Sequence, residues 1–184
     1  MFWNYLQTGF EHVIPLGYDH ILFILSLFFF NSRLKTAIIQ CSIFTLAHSL
    51  TLALVALGYI QFNTRVIEVI IALSIFVVAL ENIFHATLNW WRLLMVFIFG
   101  LVHGMGFATA LKEIGLPENE FLTALVGFNC GVEVAQIVII LLCYFLLAKW
   151  VSKKNWYREK LAHPLSLLIS CIALFWAIER YLSI

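Results

Sequence analysis

The sequence predicts an all-α integral membrane protein with six transmembrane helices and one short interfacial helix at the N-terminus. Three observations lead to this fold class. Of the 184 residues, 63% are hydrophobic and only 11% are charged, whereas soluble domains carry about a quarter charged residues. The apolar residues fall into six runs, most of them near the roughly 20 residues that cross a bilayer as a helix. The connections between the runs are short, so residues 1–184 are predicted to form a single transmembrane domain.

The N-terminal segment, residues 2–13, is too short to cross a bilayer. It mixes aromatic anchors such as Trp3 with polar residues such as Glu11, which predicts a helix lying in the membrane interface. Pro15 and Gly17 break this helix before the first span. The six spans are predicted at approximately residues 17–31, 35–58, 64–85, 90–111, 120–149 and 164–182.

The distribution of Lys and Arg predicts the orientation of the spans. Eight basic residues fall on one side of the predicted bundle and three on the other, and the richer side is expected in the cytoplasm. The eight are Arg33, Lys35, Arg92, Lys149, Lys153, Lys154, Arg158 and Lys160, and the three are Arg65, Lys112 and Arg180. Both termini are therefore predicted outside a bacterial cytoplasmic (inner) membrane, with lipid as the surroundings. The formal net charge of +1 argues against nucleic acid as a partner.

Ionisable side chains inside the apolar runs mark the candidate site, because such residues are rare and costly within a bilayer. The first span opens with Asp19 and His20, the second carries His48, the fourth His103 and the fifth Glu133. At about 1.5 Å per residue, the last three lie at comparable depths of roughly 16 to 20 Å along their helices. Further polar residues are predicted to orient these groups or to continue a pathway inward: Thr45, Ser49, Glu81, His85, Asn129 and Gln136.

Histidine with carboxylate suits a first-row divalent metal, with zinc and nickel as the leading candidates. The predicted ligands are His20, His48, His103, Asp19 and Glu133. A structural hydrogen bond between helices explains any one of them about as well. It explains less well why five helices each contribute a polar group. His12 is predicted at the interface, although it shortly precedes the Asp-His pair.

Two stripes of small residues predict close helix packing. The first consists of Gly100, Gly104 and Ala108 at i, i+4 and i+8, and the second of Gly127 and Gly131. The stripes suit contacts within one chain or between copies in a homo-oligomer, and the sequence leaves this choice open.

Four strings between about residues 9 and 140 resemble a known family. They are His12-Val-Ile-Pro-Leu-Gly17-Tyr-Asp19-His20, Phe44-Thr45-Leu-Ala-His48-Ser49-Leu-Thr51, Phe99-Gly100-Leu-Val-His103-Gly104-Met-Gly106-Phe-Ala108 and Asn129-Cys-Gly131-Val-Glu133-Val-Ala-Gln136. Together they resemble the HupE/UreJ family of small bacterial membrane proteins. Its nickel branch carries His-Pro-x-x-Gly-x-Asp-His in the first span. Here Val13 follows His12 in place of proline, and four residues, not three, separate His12 from Gly17. The chain is therefore similar to the other branch of the family. The resemblance implies a metal at Asp19, His20, His48 and His103.

Two functions follow as hypotheses. The resemblance favours a divalent transition-metal permease of the nickel or cobalt type, in which the staggered polar groups pass an ion inward. The alternative is an intramembrane zinc-dependent hydrolase acting on a lipid or lipid-linked substrate. There His20, His48 and His103 would hold the metal, and Asp19 or Glu133 would act as general base. A scaffold protein is a third option, but it would leave the polar groups without a role.

Overall fold

The computed structural model describes residues 2–85, 87–114 and 120–183, with the backbone alone for residues 107–114. The described chain is helical, without strands, so the predicted all-α class is confirmed. The main helices are α1 (Phe2–Val13), α2 (Tyr18–Phe29), α3 (Leu34–Ala56), α4 (Thr64–Phe84), α5 (Trp90–Ile114), α6 (Phe121–Cys143) and α7 (His163–Leu182). A π-helical turn, Tyr144–Ala148, and the short helix Lys149–Val151 extend α6. A second π-helical turn, Arg158–Ala162, precedes α7.

Four described segments are long and apolar enough to cross a membrane: Leu34–Ala56, Thr64–Phe84, Phe121–Val151 and Arg158–Leu182. A fifth span is formed if α1 and α2 count together, although the pair is bent by 73° at the break between them. Helix α2 has 12 residues and is therefore about 18 Å long, short of the bilayer core on its own. The apolar part of α5 within the described residues, Trp90–Gly106, is also short. The membrane class fits, whereas the predicted number of six spans is not confirmed.

Helix α1 packs against α6, and three glycines set the distance between the two helices. A Cβ atom on Gly127 would lie 2.8 Å from the backbone oxygen of Phe2, and one on Gly131 would overlap the oxygen of Leu6. From the other side, a Cβ atom on Gly9 would overlap the backbone of Phe128. The predicted stripe of Gly127 and Gly131 on α6 therefore packs against a helix of the same chain. The interfacial position of α1 stays a prediction.

Helices α3 and α5 are drawn together by Gly100 and Gly104. A Cβ atom on Gly100 would lie 2.6 Å from the backbone oxygen of Phe44, and one on Gly104 would overlap the backbone of His48. Thr51 strengthens the contact by donating its hydroxyl to Leu101 O at 2.7 Å. This close approach brings residues that neighbour the stripe, His103 among them, next to α3. The side chain of Ala108, the third member of the predicted stripe, lies outside the described residues.

A buried arginine connects several helices through hydrogen bonds. Arg92 is fully buried and pairs with Glu81 of α4. Its Nε donates to Gln40 Oε1 at 2.9 Å, its Nη2 to Asn82 Oδ1 at 3.1 Å, and its Nη1 to the carbonyl of Val78 at 3.2 Å. The charge pattern placed Arg92 among the cytoplasmic basic residues, but in the structure its guanidinium is an internal cation.

The same network reaches two further helices through Asn82. Its Nδ2 donates to the carbonyl of Ser26 in α2 at 2.8 Å and to Ser166 Oγ in α7 at 3.1 Å. The ring of Phe30 lies under the guanidinium of Arg92, with 4.4 Å from Cζ to the ring centroid. We call Arg92, Gln40, Glu81, Asn82 and their partners the arginine network. It connects α2, α3, α4, α5 and α7.

Candidate metal centre

Four histidines from four helices converge above the arginine network. They are His12 of α1, His20 of α2, His48 of α3 and His103 of α5, and we call them the histidine cluster. The ring centroid of His20 lies 4.6 Å from that of His12, 5.9 Å from that of His48 and 5.4 Å from that of His103. Residues separated by up to 91 positions in the sequence therefore share one site, as the metal hypothesis requires.

Three members of the cluster have the geometry of a metal site. His12, His20 and His48 each offer one ring nitrogen, and these three atoms lie within 4.8 Å of one another. Nitrogens that bind one zinc ion at about 2.1 Å in tetrahedral geometry are about 3.4 Å apart. To share one ion, the nitrogens would have to approach one another by up to about 1.4 Å.

The ring nitrogens of the cluster are buried, and several lack hydrogen-bond partners. His20, His48 and His103 are 6%, 0% and 1% exposed. Among the described residues, His20 Nε2, both nitrogens of His48 and His103 Nδ1 have no hydrogen bond of ordinary geometry. A buried polar atom without a partner costs about 1–3 kcal/mol. Neutral imidazole is a common metal ligand. The donor set therefore fits a divalent transition-metal ion, which would satisfy these atoms.

Ser74 of α4 contacts a ring nitrogen of His103. The Ser74 hydroxyl donates to the carbonyl of Ile71 at 2.7 Å. Its oxygen lies 2.9 Å from His103 Nε2. When the hydroxyl proton is donated to Ile71, Nε2 carries the ring proton in this contact and Nδ1 of a neutral His103 keeps its lone pair. His103 lies outside the group of three histidines whose ligand atoms are within 4.8 Å of one another.

Aromatic rings close the cluster on the side of the arginine network. The ring of His103 lies 4.9 Å from that of Phe23 and 5.0 Å from that of Phe44, centroid to centroid. Phe128 of α6 lies 5.5 Å from His12. All three phenylalanines are at most 1% exposed. Along α2 and α3, Phe23 and Phe44 fall between a histidine of the cluster and a residue of the arginine network.

On the opposite side the histidines border a cavity of about 650 Å³. His12, His20 and His103 line it. The ionised side chains of its lining are four carboxylates and one guanidinium: Glu11, Asp19, Glu68, Glu179 and Arg180. The excess of negative charge favours entry of a cation.

Asp19, a predicted ligand, lies at this cavity beside His20, but it is held by α7. Arg180 Nη2 donates to both carboxylate oxygens of Asp19, each at 3.0 Å. Within the described residues, the carboxylate of Asp19 is not in the group of ligand atoms that lie within 4.8 Å of one another. It borders the site.

Glu133, another predicted ligand, lies apart from the histidines at the seam between α3 and α6. It accepts a hydrogen bond from Ser42 Oγ at 2.9 Å, and Ser42 is exposed. Asn129, one turn earlier on α6, lies beside His48. Asn129 Nδ2 donates to the carbonyl of Leu125 at 2.8 Å. Asn129 is therefore closer to the cluster than Glu133 is.

The remaining predicted residues divide between the seam and the arginine network. Thr45 donates to Gln136 Oε1 at 3.0 Å, and Ser49 donates to the carbonyl of Thr45 at 2.6 Å. Glu81 pairs with Arg92. The backbone oxygen of His85 accepts from Arg158 Nη2 at 3.1 Å. The structure does not bring Glu81 and His85 to the histidines, so the predicted ladder is interrupted by the phenylalanines.

Three residues of the site received little weight in the sequence. His12 was assigned to the interface because the segment 2–13 is short and amphipathic, yet it lies within the cluster. The feature of the sequence that could have placed His12 in the cluster is its short spacing from Asp19 and His20, across Pro15. The sequence predicts Ser74 on one face of its helix with Glu81 and His85, but not its contact with His103. Arg180 gave no signal, because its partner Asp19 is distant in sequence.

The chain matches the family described as HupE / UreJ protein over residues 1–180. No curated protein and no solved structure matched it. The match covers α1 to α6 entirely and α7 almost to its end, and with them every histidine of the cluster. By this match, the chain is a member of the HupE/UreJ family.

Proposed function

We propose that the protein is a divalent transition-metal permease of the cytoplasmic membrane of a bacterium, with nickel, cobalt or zinc as cargo. The observation that carries this proposal is the histidine cluster itself. Buried ring nitrogens without hydrogen-bond partners among the described residues lie next to a cavity with negative walls. Family membership supports the same function. The orientation follows from the Lys and Arg count, which assigns the cavity and both termini to the outside.

In this proposal the carboxylates of the cavity attract the ion, and the histidines bind it. His12, His20 and His48 provide the first three nitrogens, and His103 Nδ1 provides the fourth. Imidazole binds a borderline metal reversibly, because protonation of the ring competes with coordination. A site of neutral nitrogens buried beside a wet cavity therefore suits binding followed by release.

Residues of the α3–α6 seam support the ligands. Asn129 lies beside His48, and its amide donates to the α6 backbone, which leaves Oδ1 able to accept from the His48 ring. Such a contact would orient the ring and fix its tautomer. Gln136 and Thr45 hold α3 against α6 one turn further along. Glu133 is assigned to the seam and not to the metal.

Passage to the cytoplasm requires a second conformation. Phe23 and Phe44 close the inner side of the cluster, and the arginine network lies beyond them. Membrane transporters commonly expose a central site to one side at a time. We assign the described structure to the state that is open to the outside.

A hydrolase is the second candidate, and the cavity beside the histidines favours it. Three neutral histidines leave a coordination position that faces the cavity, as in catalytic zinc sites. Asp19, which lines the same cavity, would then be the general base for a bound water. Glu133, which accepts from Ser42 at the α3–α6 seam, is not assigned this role.

Uptake into proteoliposomes tests the proposal. The purified chain is reconstituted in vesicles of bacterial phospholipid, and entry of Ni²⁺, Co²⁺ or Zn²⁺ is followed with a trapped indicator. We expect uptake by the native chain and by His163→Ala, a matched histidine near Arg158, and none by His48→Ala. Uptake by the native chain no greater than that of protein-free vesicles would refute the permease, and equal uptake by all three variants would refute the role of His48. Tight zinc binding without uptake, together with cleavage of the vesicle lipid that His48→Ala abolishes, would establish the hydrolase.

A further inference from the structure

We propose that Arg180 is a tethered counter-cation that makes the site selective for divalent ions. Its guanidinium neutralises Asp19 while the site is empty, and only a divalent ion at the histidine cluster competes well enough to release the carboxylate. This inference rests on the proposed cation binding. It adds a specificity-determining residue from α7, a helix to which the sequence assigned no part in the site.

Arg180 lines the cavity together with His12, His20 and His103. Nη2 donates to both oxygens of Asp19, each at 3.0 Å, and Nη1 donates to the backbone oxygen of Glu68 at 3.0 Å. Trp176, one turn earlier on α7, supports the guanidinium, whose Cζ lies 5.6 Å from its ring centroid. Asp19 immediately precedes His20, whose Nε2 has no hydrogen bond within the described chain.

The charges of the cavity explain why a cation is held there. Among the described residues that line it, Arg180 is the one Lys or Arg, and it faces four carboxylates. Without the guanidinium, Asp19 would be an uncompensated carboxylate beside three more acids. The guanidinium therefore occupies the position in which the cavity best stabilises positive charge.

The Asp19–Arg180 ion pair is weak enough for a bound metal ion to displace Arg180 from Asp19. The two side chains are 26% and 25% exposed, so water screens their attraction and the pair contributes little to stability. An ion held by the histidines attracts the Asp19 carboxylate and repels the guanidinium. At equal distance a divalent ion does both twice as strongly as a monovalent one. A divalent ion therefore weakens the pair more than a sodium or potassium ion does.

Calorimetric titration of the detergent-purified full chain with Zn²⁺ and Co²⁺ tests the inference. Removing the competing cation with Arg180→Gln should tighten binding by about tenfold. It should also make binding more sensitive to 0.3 M potassium chloride, on the order of a few-fold, since monovalent ions then reach Asp19. Arg180→Lys should resemble the native chain. Arg65→Gln, an exposed charge outside the cavity, should change neither value and serves as the matched control.

Asp19→Asn provides the second arm. It should weaken binding, and in the double variant the effect of Arg180→Gln should disappear, because the two residues act through one another. Weaker or unchanged binding by Arg180→Gln would overturn the inference while zinc binding by the native chain survives. No zinc binding by the native chain would refute the proposed function instead.

Infrared difference spectra of the native chain guard against a folding defect in the variants. Zinc should shift a carboxylate band, and the shift should be absent in Asp19→Asn. An unshifted carboxylate in a zinc-loaded native chain would also overturn the inference, because Asp19 would then remain with Arg180.

Discussion

The arginine network and the histidine cluster are both buried and polar, yet they differ in how their atoms are satisfied. Arg92 is fully buried, and each of its three guanidinium nitrogens donates to an acceptor of α3 or α4. In the histidine cluster, by contrast, both nitrogens of the fully buried His48 lack a hydrogen bond of ordinary geometry within the described residues. The first region holds charge that the protein itself compensates. The second holds buried ring nitrogens that lack partners of this kind within the described residues, and we propose that a metal ion binds them.

This difference separates structural from functional polar groups in one bundle. A compensated charge stabilises the fold only while all partners are present, and removing one leaves the others buried without a partner. An uncompensated lone pair costs stability in the metal-free protein, and it is retained for what it binds. Substitutions in the two regions should therefore have opposite consequences.

The largest effect is expected in the arginine network. Arg92→Met keeps much of the side-chain length but leaves Glu81, Gln40 and Asn82 without their donor. Breaking a buried ion pair from one side costs about 3–5 kcal/mol. The measurement is the free energy of unfolding in mixed micelles. Arg33→Ala, an exposed arginine, should change it by less than about 0.5 kcal/mol. Similar values for the two variants would contradict a structural role for Arg92.

The histidine cluster should respond in the opposite sense to an apolar substitution of similar size. His48→Leu removes two buried nitrogens without hydrogen-bond partners, so the metal-free protein should keep or gain stability. At a zinc concentration 100 times its Kd, the native chain should gain about 2.7 kcal/mol. The variant should gain none. Thermal unfolding with and without zinc measures both quantities, and a variant that zinc still stabilises would remove His48 from the site.

His12 gives a smaller effect and tests the ligand that the sequence underestimated. His12→Ala should weaken zinc binding by roughly 30-fold, or about 2 kcal/mol, through loss of one nitrogen of three close neighbours. His85→Ala, a histidine outside the cluster, is the control. Equal zinc affinities of the two variants would show that His12 is not a ligand and would favour the interfacial role that the sequence predicted.

Ser74 should give the smallest effect, because it acts on the tautomer of His103 and not on the metal. Ser74→Ala should weaken binding by about tenfold, as changes behind a metal ligand commonly do. Ser74→Thr keeps the hydroxyl and should restore native affinity. Calorimetric titration distinguishes the two variants, and equal weakening by both would assign the effect to packing.

The fold class was predictable because apolar run length reports directly on membrane helices. The convergence of His20, His48 and His103 was also predictable, since each is a rare ionisable residue in an apolar run. The bent pair α1–α2 was harder to foresee. A 12-residue amphipathic helix suits the interface by composition, and only the fit of Gly9, Gly127 and Gly131 shows that α1 packs on α6.

The roles of charged residues depended on partners that sequence cannot place. Glu81 sits in an apolar run and therefore resembled part of an ion pathway, but Arg92 compensates it from another helix. Arg92 resembled a cytoplasmic charge for the same reason. Asp19 adjoins His20 in sequence, yet its carboxylate is held by Arg180 from the far end of the chain. A residue's environment across helices, and not its type, decided each case.

X-ray absorption at the metal edge of the cobalt- or zinc-loaded chain is the most direct test of the central claim. One bound metal should show three or four imidazole nitrogens at about 2.0–2.1 Å, and His48→Leu should lose this signature. A native chain that retains no metal after loading, or whose bound metal has oxygen ligands alone, would show that the histidine cluster is not a metal site.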